Sequence, residues 1–344
     1  MNYEPSNINL QHIFRLTNHV GIVQHAAFHI PNHHHGYCLD DNARALQLTM
    51  MVRHFYPQEK VENFIDIYFS YLLYMQKSNG NFHNFLGYNM QFLDDECTPD
   101  AFGRTIMALG AALKFDDDQR YRKITEQLLS NALPHINNLS SIRSVAYTLT
   151  GLIWIYQTYP GPHYLDNYIS PLAAYIAREY SLCNKKDWNW FEEIISYDNA
   201  MIPYSLLLAY QITKVHTYKE YGILSTEFLD SILFKDDHLR LIGNDGWHCK
   251  GDLNNKRGQQ PIEIPSLLLL YNLCKELNID ENLKGSVQSC YNWYFGLNSE
   301  KLVLYDKKTQ GCHDGLEFQS VNLNQGAEST IAFWQSYLNY NNPF

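Results

Sequence analysis

Charge is scarce in this chain, and positive charge is the scarcer sign. Asp, Glu, Lys and Arg make up 18% of the 344 residues, against about a quarter in an average globular domain. The 26 Lys and Arg face 36 Asp and Glu, a formal balance of -10, and no basic run is present to follow a phosphate backbone. Nucleic acid is therefore not an expected partner. Long apolar runs are missing too: stretches such as Ile264 to Tyr271 fall far below the roughly 20 residues that cross a bilayer, so no membrane span is expected. Residues Met1 to Leu10 include Glu4 and no apolar core of a signal sequence, which makes the cytoplasm the expected location. The seven cysteines are odd in number and none forms a Cys-x-x-Cys pair, a usage that suits free thiols in a reducing compartment. No Gly-rich phosphate loop, dinucleotide fingerprint or Gly-x-Ser-x-Gly elbow occurs, so no cofactor is expected. His33-His34-His35 has the look of a metal tract, yet three consecutive His do not reach one ion from a rigid backbone and no ligand spacing follows, so no metal site is assigned.

What the chain does have is apolar and aromatic material: 45% hydrophobic residues, with 26 Tyr, 17 Phe and 6 Trp. That is enough for a large core. Rings with a polar edge also suit flat, hydroxyl-rich ligands, although core filling uses the same residues. Apolar positions recur at spacings of three and four in Ala43 to Val52, Ile106 to Leu113, Val145 to Ile155, Ile202 to Tyr210, Pro265 to Leu273 and Thr330 to Leu338, which predicts six strongly apolar helices. Between them lie more polar helical stretches: Val61 to Met75, Arg120 to Ala132, Tyr164 to Tyr180, Lys219 to Leu233 and Glu281 to Phe295. The segment Ile8 to Thr17 supplies a sixth. Alternation of this kind is a repeat of helical hairpins. The predicted fold is all-α, an (α/α)6 barrel of six hairpins, read as a single domain over residues 1–344. Segments Gly80 to Asp95, His238 to Gly258 and Lys301 to Val321 read as short β-hairpins placed before inner helices, at the end where the inner N-termini point.

Acids and amides cluster at those N-termini: Asp40-Asp41-Asn42-Ala43-Arg44, Asp100 with Arg104 one turn on, Asp198-Asn199-Ala200, Gln259-Gln260-Pro261-Ile262-Glu263, and Asn324-Gln325-Gly326-Ala327-Glu328. Helix capping explains any one of them. It does not explain Glu263 and Glu328, which stand beyond the cap among small or apolar neighbours. In a closed ring of six, Asp41 would oppose Asp198 and Asp100 would oppose Glu263, and convergent carboxyl groups are the apparatus of glycoside hydrolysis. Glu263, behind Pro261 and Ile262, is expected to be the general acid in a dry pocket, with Asp41 or Asp198 as the base at a helix N-terminus and an inverting outcome. Trp188-Asn189-Trp190-Phe191-Glu192-Glu193 reads as a sugar-stacking wall, and Phe82-His83-Asn84-Phe85 and Gly246-Trp247-His248 repeat its mixture of ring and polar edge. Beyond the catalytic trio Asp41, Asp198 and Glu263, the expected substrate-binding groups are Tyr37, Asp40, Arg44, His83, Asn84, Asp100, Arg104, Trp190, Glu193, Trp247, Gln260, Gln325 and Glu328.

The series Gly36-Tyr37-Cys38-Leu39-Asp40-Asp41-Asn42-Ala43-Arg44, Phe82-His83-Asn84-Phe85, Trp190-Phe191-Glu192, Tyr197-Asp198-Asn199-Ala200, Gln259-Gln260-Pro261-Ile262-Glu263 and Asn324-Gln325-Gly326-Ala327-Glu328-Ser329-Thr330 resembles a group of bacterial six-hairpin glycosidase-like proteins. These occur alone or fused to glycosyltransferase domains. The resemblance covers roughly Gly36 to Leu338 and implies an (α/α)6 barrel with a carbohydrate-binding funnel, an oligosaccharide substrate such as a mannoside or glucoside, and a functional link to a glycosyltransferase. The same barrel class includes lyases, phosphorylases and sugar epimerases. A sugar epimerase or isomerase using His83, His248 or His313 as acid and base, and a non-catalytic carbohydrate-binding module, are the competing readings. The chain departs from the group at Thr98-Pro99-Asp100-Ala101-Phe102-Gly103-Arg104, where relatives tend to have an acid followed by Asp-Ser-His-Gly-Arg. The absent His weakens any role carried over to Asp100.

Overall fold

A computed structural model describes residues 4–234, 238–251 and 257–344. The chain divides into two compact units, an N-terminal unit of Ile13–Ala173 and a C-terminal unit of Ala174–Phe344 together with Met1–His12.

In the N-terminal unit each strongly apolar sequence becomes a helix buried on nearly all sides. After the short α1 (Gln11–Leu16) come a hairpin, β1 (His25–Ala27) with β2 (Ile30–Asn32), then β3 (Tyr37–Cys38), α2 (Leu39–Phe55) and α3 (Glu62–Met75). β4 (Phe85–Leu86) pairs with β3 and precedes α4 (Pro99–Lys114), α5 (Arg122–Ala132) and α6 (Ile142–Thr158). A short turn α7 (Pro162–Tyr164) and a π-helical turn at Leu165–Ile169 lead into α8 (Ser170–Cys183), which crosses into the second unit. The inner and outer members differ as their patterns require: α2 is buried continuously from Asp41 to Val52, while α3 buries only Ile65, Tyr68, Phe69, Tyr71, Leu72 and Met75. Each wholly buried Leu or Ile in such helices contributes about 1.5–3 kcal/mol. The α4–α6 seam is closest of all. A Cβ on Gly110 would stand 2.4 Å from the Gly151 carbonyl oxygen, and one on Gly151 would stand 2.5 Å from that of Ile106, so backbone meets backbone there and both positions need glycine.

The C-terminal unit continues the alternation with β5 (Ile194–Ile195), α9 (Met201–Thr213), α10 (His216–Leu233), β6 (His248–Cys249), α11 (Glu263–Glu276), α12 (Val287–Asn292), β7 (Tyr305–Asp306), β8 (Gly311–Cys312), β9 (Gly315–Glu317), β10 (Ser320–Asn322) and α13 (Ala327–Asn341). Among the described residues strands occur only as two-stranded antiparallel pairs, β5 with β6, β7 with β8 and β9 with β10; β6 to β10 lie in or beside the loops where the sequence places them, while β5 lies outside them. Positions 252–256 of the expected His238–Gly258 loop lie outside the described residues. One outer helix is much shorter than expected. Helicity over Glu281 to Phe295 shrinks to Val287–Asn292 because the buried Asp230 carboxylate takes hydrogen bonds from the peptide N–H groups of Lys284 and Gly285, at 2.9 and 2.8 Å, and holds that stretch as a turn. Among the described residues, no helix is long and apolar enough to cross a membrane.

Candidate active site

The first turn of α2 carries the acids of the N-terminal unit. Asp40 lies between two guanidinium groups: Arg44 donates to both of its oxygens, at 2.8 and 3.0 Å, and Arg104 Nε stands 3.3 Å away. Arg104, buried in α4, also donates to the Tyr147 hydroxyl at 2.6 Å. Asp41 has a different neighbour. Cys38 caps α2, accepting from the Asp41 peptide N–H at 3.3 Å and donating its thiol hydrogen to Asp41 Oδ2 at 3.0 Å. Burial pushes the Cys38 thiol well above its usual value, and the charges of Asp41 and Asp40 push it further, so at neutral pH it stays a donor. Asp100 accepts from Ser141 Oγ at 2.8 Å, joining the first turn of α4 to the cap of α6.

The loop before α4 is tied to this cluster. Asp94 accepts from the peptide N–H groups of Asn84 and Phe85, at 2.8 and 2.5 Å, its carbonyl oxygen lies 2.9 Å from His83 Nδ1, and the Asn84 carbonyl receives the Leu39 N–H at 2.8 Å. His83 stacks on Phe92 with ring centroids 3.9 Å apart. Tyr37, expected to bind substrate, is instead buried beside Tyr71, with its hydroxyl accepting from Asn18 Nδ2 at 2.7 Å. The His tract forms a 3-10 turn capped by Asn32, with the His35 ring edge-on to His25. No group of three or more His, Cys, Asp or Glu among the described residues is arranged to hold a metal ion.

In the C-terminal unit, Glu263 begins α11 and is buried, but its surroundings are not the apolar pocket expected of a general acid. Its Oε1 accepts from the Asp198 peptide N–H at 2.5 Å, and its Oε2 from the Asn199 peptide N–H at 3.4 Å and from Asn199 Nδ2 at 3.2 Å. Three N–H donors thus meet this carboxyl group where Pro261 and Ile262 suggest a dry pocket. Asp198 is itself buried, and its φ of 46° lies in the left-handed region that side chains other than glycine adopt at a cost. Glu263 thus clamps a strained aspartate. Immediately before it, Tyr197 and Trp247 face each other at 5.9 Å, both partly exposed, and Trp247 also has a positive φ of 50°.

The aromatic wall needs correction. Trp190 is fully buried, packed on Phe191 and Phe228, and its indole N–H has no partner among the described residues; its faces belong to the core and offer nothing to a sugar in this conformation. Trp188 is also buried, stacked near His248 and donating to the Glu192 carbonyl at 2.7 Å. Glu193 points the other way, exposed, 3.9 Å from Lys185. Gln325 is committed within the unit: its amide donates to Asp306 at 3.1 Å and accepts from Thr309 at 2.7 Å. Gln260 and Glu328 are half-buried, just ahead of α11 and in the first turn of α13.

Sequence comparison finds no matching family model and no match among curated proteins. Comparison with solved structures does find matches. A sugar epimerase from a ruminal bacterium superposes with a TM-score of 0.72 at 10% identity, covering 97% of this chain and 96% of the other. A D-mannose isomerase gives 0.68 at 14% identity, covering 96% and 94%. The GH76A α-1,6-mannanase of Salegentibacter sp. HEL1_6 gives 0.63 at 11% identity, covering 96% of each chain. The fold is the all-α, six-hairpin (α/α)6 barrel. Within the six-hairpin fold, two features escaped the sequence reading. One is Arg143, buried at the second position of α6, whose only signal was a lone charge ahead of a long apolar run. The other is the Cys38 cap, since cysteine is not among the residues that usually cap helices.

Proposed function

We propose that this chain is a carbohydrate-active enzyme, specifically a glycoside hydrolase acting on an oligosaccharide such as a mannoside or glucoside. The carrying observation is the Glu263 clamp on Asp198: a buried carboxyl group holding an aspartate in a left-handed conformation is costly for stability and has the character of a reactive site. The fold neighbours support the substrate class, for they include mannanases, one of them an inactive variant in complex with α-1,6-mannotriose.

Glycoside cleavage needs one carboxyl group to protonate the leaving oxygen and another to activate water. In this reading Asp198 of the C-terminal unit is a carboxyl group of that reaction, and Asp41 of the N-terminal unit, which accepts the Cys38 thiol hydrogen on Oδ2 at 3.0 Å, is a second candidate. Glu263 is a positioning residue. Tyr197 and Trp247, half-exposed beside Asp198, offer ring faces to a pyranose. Arg44 and Arg104 hold Asp40 as a fixed acceptor for sugar hydroxyls. Seven free cysteines suit a reducing, cytoplasmic setting, and a glycosyltransferase supplying or sharing the glycan belongs to the same proposal.

A second reading, sugar epimerisation or isomerisation, is favoured by the buried imidazole of His248 next to Trp188 and by the higher TM-scores of the epimerase and isomerase. One assay separates the two. A panel of mannosides and glucosides is incubated with the protein, with and without phosphate, and the products are resolved by chromatography. Release of a shorter saccharide, lost in Asp198→Asn, is the expected result; an isomer of unchanged size, lost in His248→Ala, would replace the hydrolase reading with the second.

A further inference from the structure

Apolar side chains gather on two adjoining hairpins of the N-terminal unit, β1–β2 and residues 85–93. In the first, Ala26 is buried and strand alternation turns His25, Ala27 and Ile30 outward. Its tip residue Phe28 has a φ of 54°, a region costly for a bulky side chain. In the second, Leu86 is buried, while Phe85 and Leu93, joined by the Leu93 N–H donating to the Phe85 carbonyl at 3.0 Å, are exposed, as are Tyr88 and Met90 at the tip. The hairpins meet: the His33 ring stands edge-on to Tyr88 at 4.4 Å, and a Cβ on Gly36 would collide with the Leu86 carbonyl oxygen. Phe28, Ile30, Phe85, Tyr88, Met90 and Leu93 are 38 to 62% exposed. At roughly 150–250 Å² for a whole large side chain, they leave about 500 Å² of apolar surface open, near the upper end of what a monomer shows and more than half of the ~800 Å² that each partner gives to a standard interface.

The polar groups around this surface are divided between the hairpins. Residues 16–39 hold six His and no Asp or Glu, whereas residues 84–100 hold four Asp and Glu and no Lys, Arg or His. Exposed in the first set are His29, His34 and His35, and in the second Asp95 and Glu96. Asp94 is committed within its own loop, Asp100 accepts from Ser141, and Glu96 lies 3.7 Å from Lys77. An imidazole N–H donates to a carboxylate whether the ring is neutral or protonated, so the two hairpins carry complementary halves. A partner of one sign would satisfy only one of them. A second copy related by a two-fold axis satisfies both, because an isologous interface lays each half on the complement of the other. Ile30, Met90 and Leu93 also offer a sugar neither a ring face nor a hydrogen bond, and they suit another apolar protein surface.

We infer that these hairpins form a two-fold interface between copies of this chain, the His-bearing hairpin of each copy lying against the acidic hairpin of the other around Phe28, Ile30, Tyr88, Met90 and Leu93. Sedimentation velocity across a concentration series tests it. Wild type is expected to sediment as a dimer of the 40.2 kDa chain. Ile30→Glu and Leu93→Glu, each at an exposed position and each checked for an unchanged thermal midpoint, should weaken association by about tenfold or more. Mixing tests the two halves. The double variants His29→Glu/His34→Glu and Asp95→Lys/Glu96→Lys should each be monomeric alone, the first because acids face acids and the second because its acceptors are gone. Combined, they should dimerise, since every altered half then meets its complement. A wild type that is monomeric throughout the series overturns the interface, as does a dimer that keeps its affinity in Ile30→Glu and Leu93→Glu, or a mixture that stays monomeric where wild type dimerises. A monomeric wild type that a mannan-containing gel retards, with retardation lost in Leu93→Glu, would give the surface to a glycan and overturn the interface too.

Discussion

Asp40 in the N-terminal unit meets the guanidinium groups of Arg44 and Arg104, whereas Glu263 in the C-terminal unit meets the peptide N–H groups of Asp198 and Asn199. Both acids stand in the first turn of an inner helix, where the helix end favours negative charge. Their partners give them different consequences. A side-chain ion pair can lose one member and keep its backbone; a carboxylate bound to consecutive peptide groups determines the backbone conformation itself. The C-terminal acid therefore couples stability to the backbone conformation of Asp198, and the N-terminal one fixes mainly the side chains around it.

The largest effect that would break this contrast is expected at the clamp. Asp198→Asn and Glu263→Gln should each lower kcat/KM by about 10² or more, the usual scale for groups of the acid-base machinery. Glu263→Gln should also cost about 1–3 kcal/mol in urea unfolding, because its amide nitrogen would have to face an N–H donor. Asp198→Gly separates the two properties: relief of the φ of 46° should raise stability by about 1 kcal/mol while activity disappears. A stability loss in Asp198→Gly would mean that the side chain, not the backbone, is what the clamp serves.

Next in size is the arginine pair. Arg104→Met removes a buried guanidinium from Asp40 and Tyr147 and should destabilise the N-terminal unit by about 1–3 kcal/mol, with any activity loss appearing in KM more than in kcat. Equal losses in both would move Asp40 into the reacting set. Smaller again is the Cys38 cap. Cys38→Ser keeps a donor for Asp41 and should be nearly neutral, whereas Cys38→Ala should cost about 1 kcal/mol, as lost caps do. In the folded protein a thiol reagent should label the exposed Cys249 first. Cys38 and Cys97 should remain silent, the former held well above its usual value by burial and by Asp41 and Asp40, the latter pushed by burial to about 12.

The smallest expected difference is in acid. Burial pushes the Asp306 carboxyl of the C-terminal unit up, but the Lys308 N–H, Gln325 and Thr309 outweigh it and leave it below its usual value. Asp116 of the N-terminal unit goes the other way: burial holds it above the ordinary range despite the Tyr121 N–H and Arg53. A depressed carboxyl contributes stability above its unfolded value that is lost as pH falls through the folded one; a raised carboxyl is relieved on protonation. Asp306→Asn should therefore flatten the fall of the thermal midpoint below pH 4, and Asp116→Asn should raise the midpoint slightly near neutrality. The reverse pattern would mean that the bonds to Asp306 do not survive in solution.

Much of the fold was legible because helical periodicity is a local signal: the starts of α2, α4 and α13 fall within two residues of the acids and amides that announced them. The shortened α12 was not, since its cause is Asp230, more than fifty positions earlier. The same holds for the site. The first-turn acids of α2 could be read from Asp40-Asp41-Asn42, but the donors around Glu263 come from residues 64 and 65 positions away, where Pro261 and Ile262 had suggested dryness. Trp190 misled for a related reason: a tryptophan flanked by Asn and Glu has the composition of a binding loop, and only packing against Phe191 and Phe228 reveals it as core.

The glycine contact between α4 and α6 has a mechanical consequence. With no side chain between Gly110 and Gly151, that seam has no rotamers to rearrange and no methyl groups to slide past one another, so the two helices lack the usual means of shifting a fraction of an ångström. They form a stiff rib within the N-terminal unit. Hydrogen exchange of the amides around Ile106, Met107 and Gly151 should then require cooperative unfolding, not local opening, and any motion of the Asp41 cluster must be taken up by its loops.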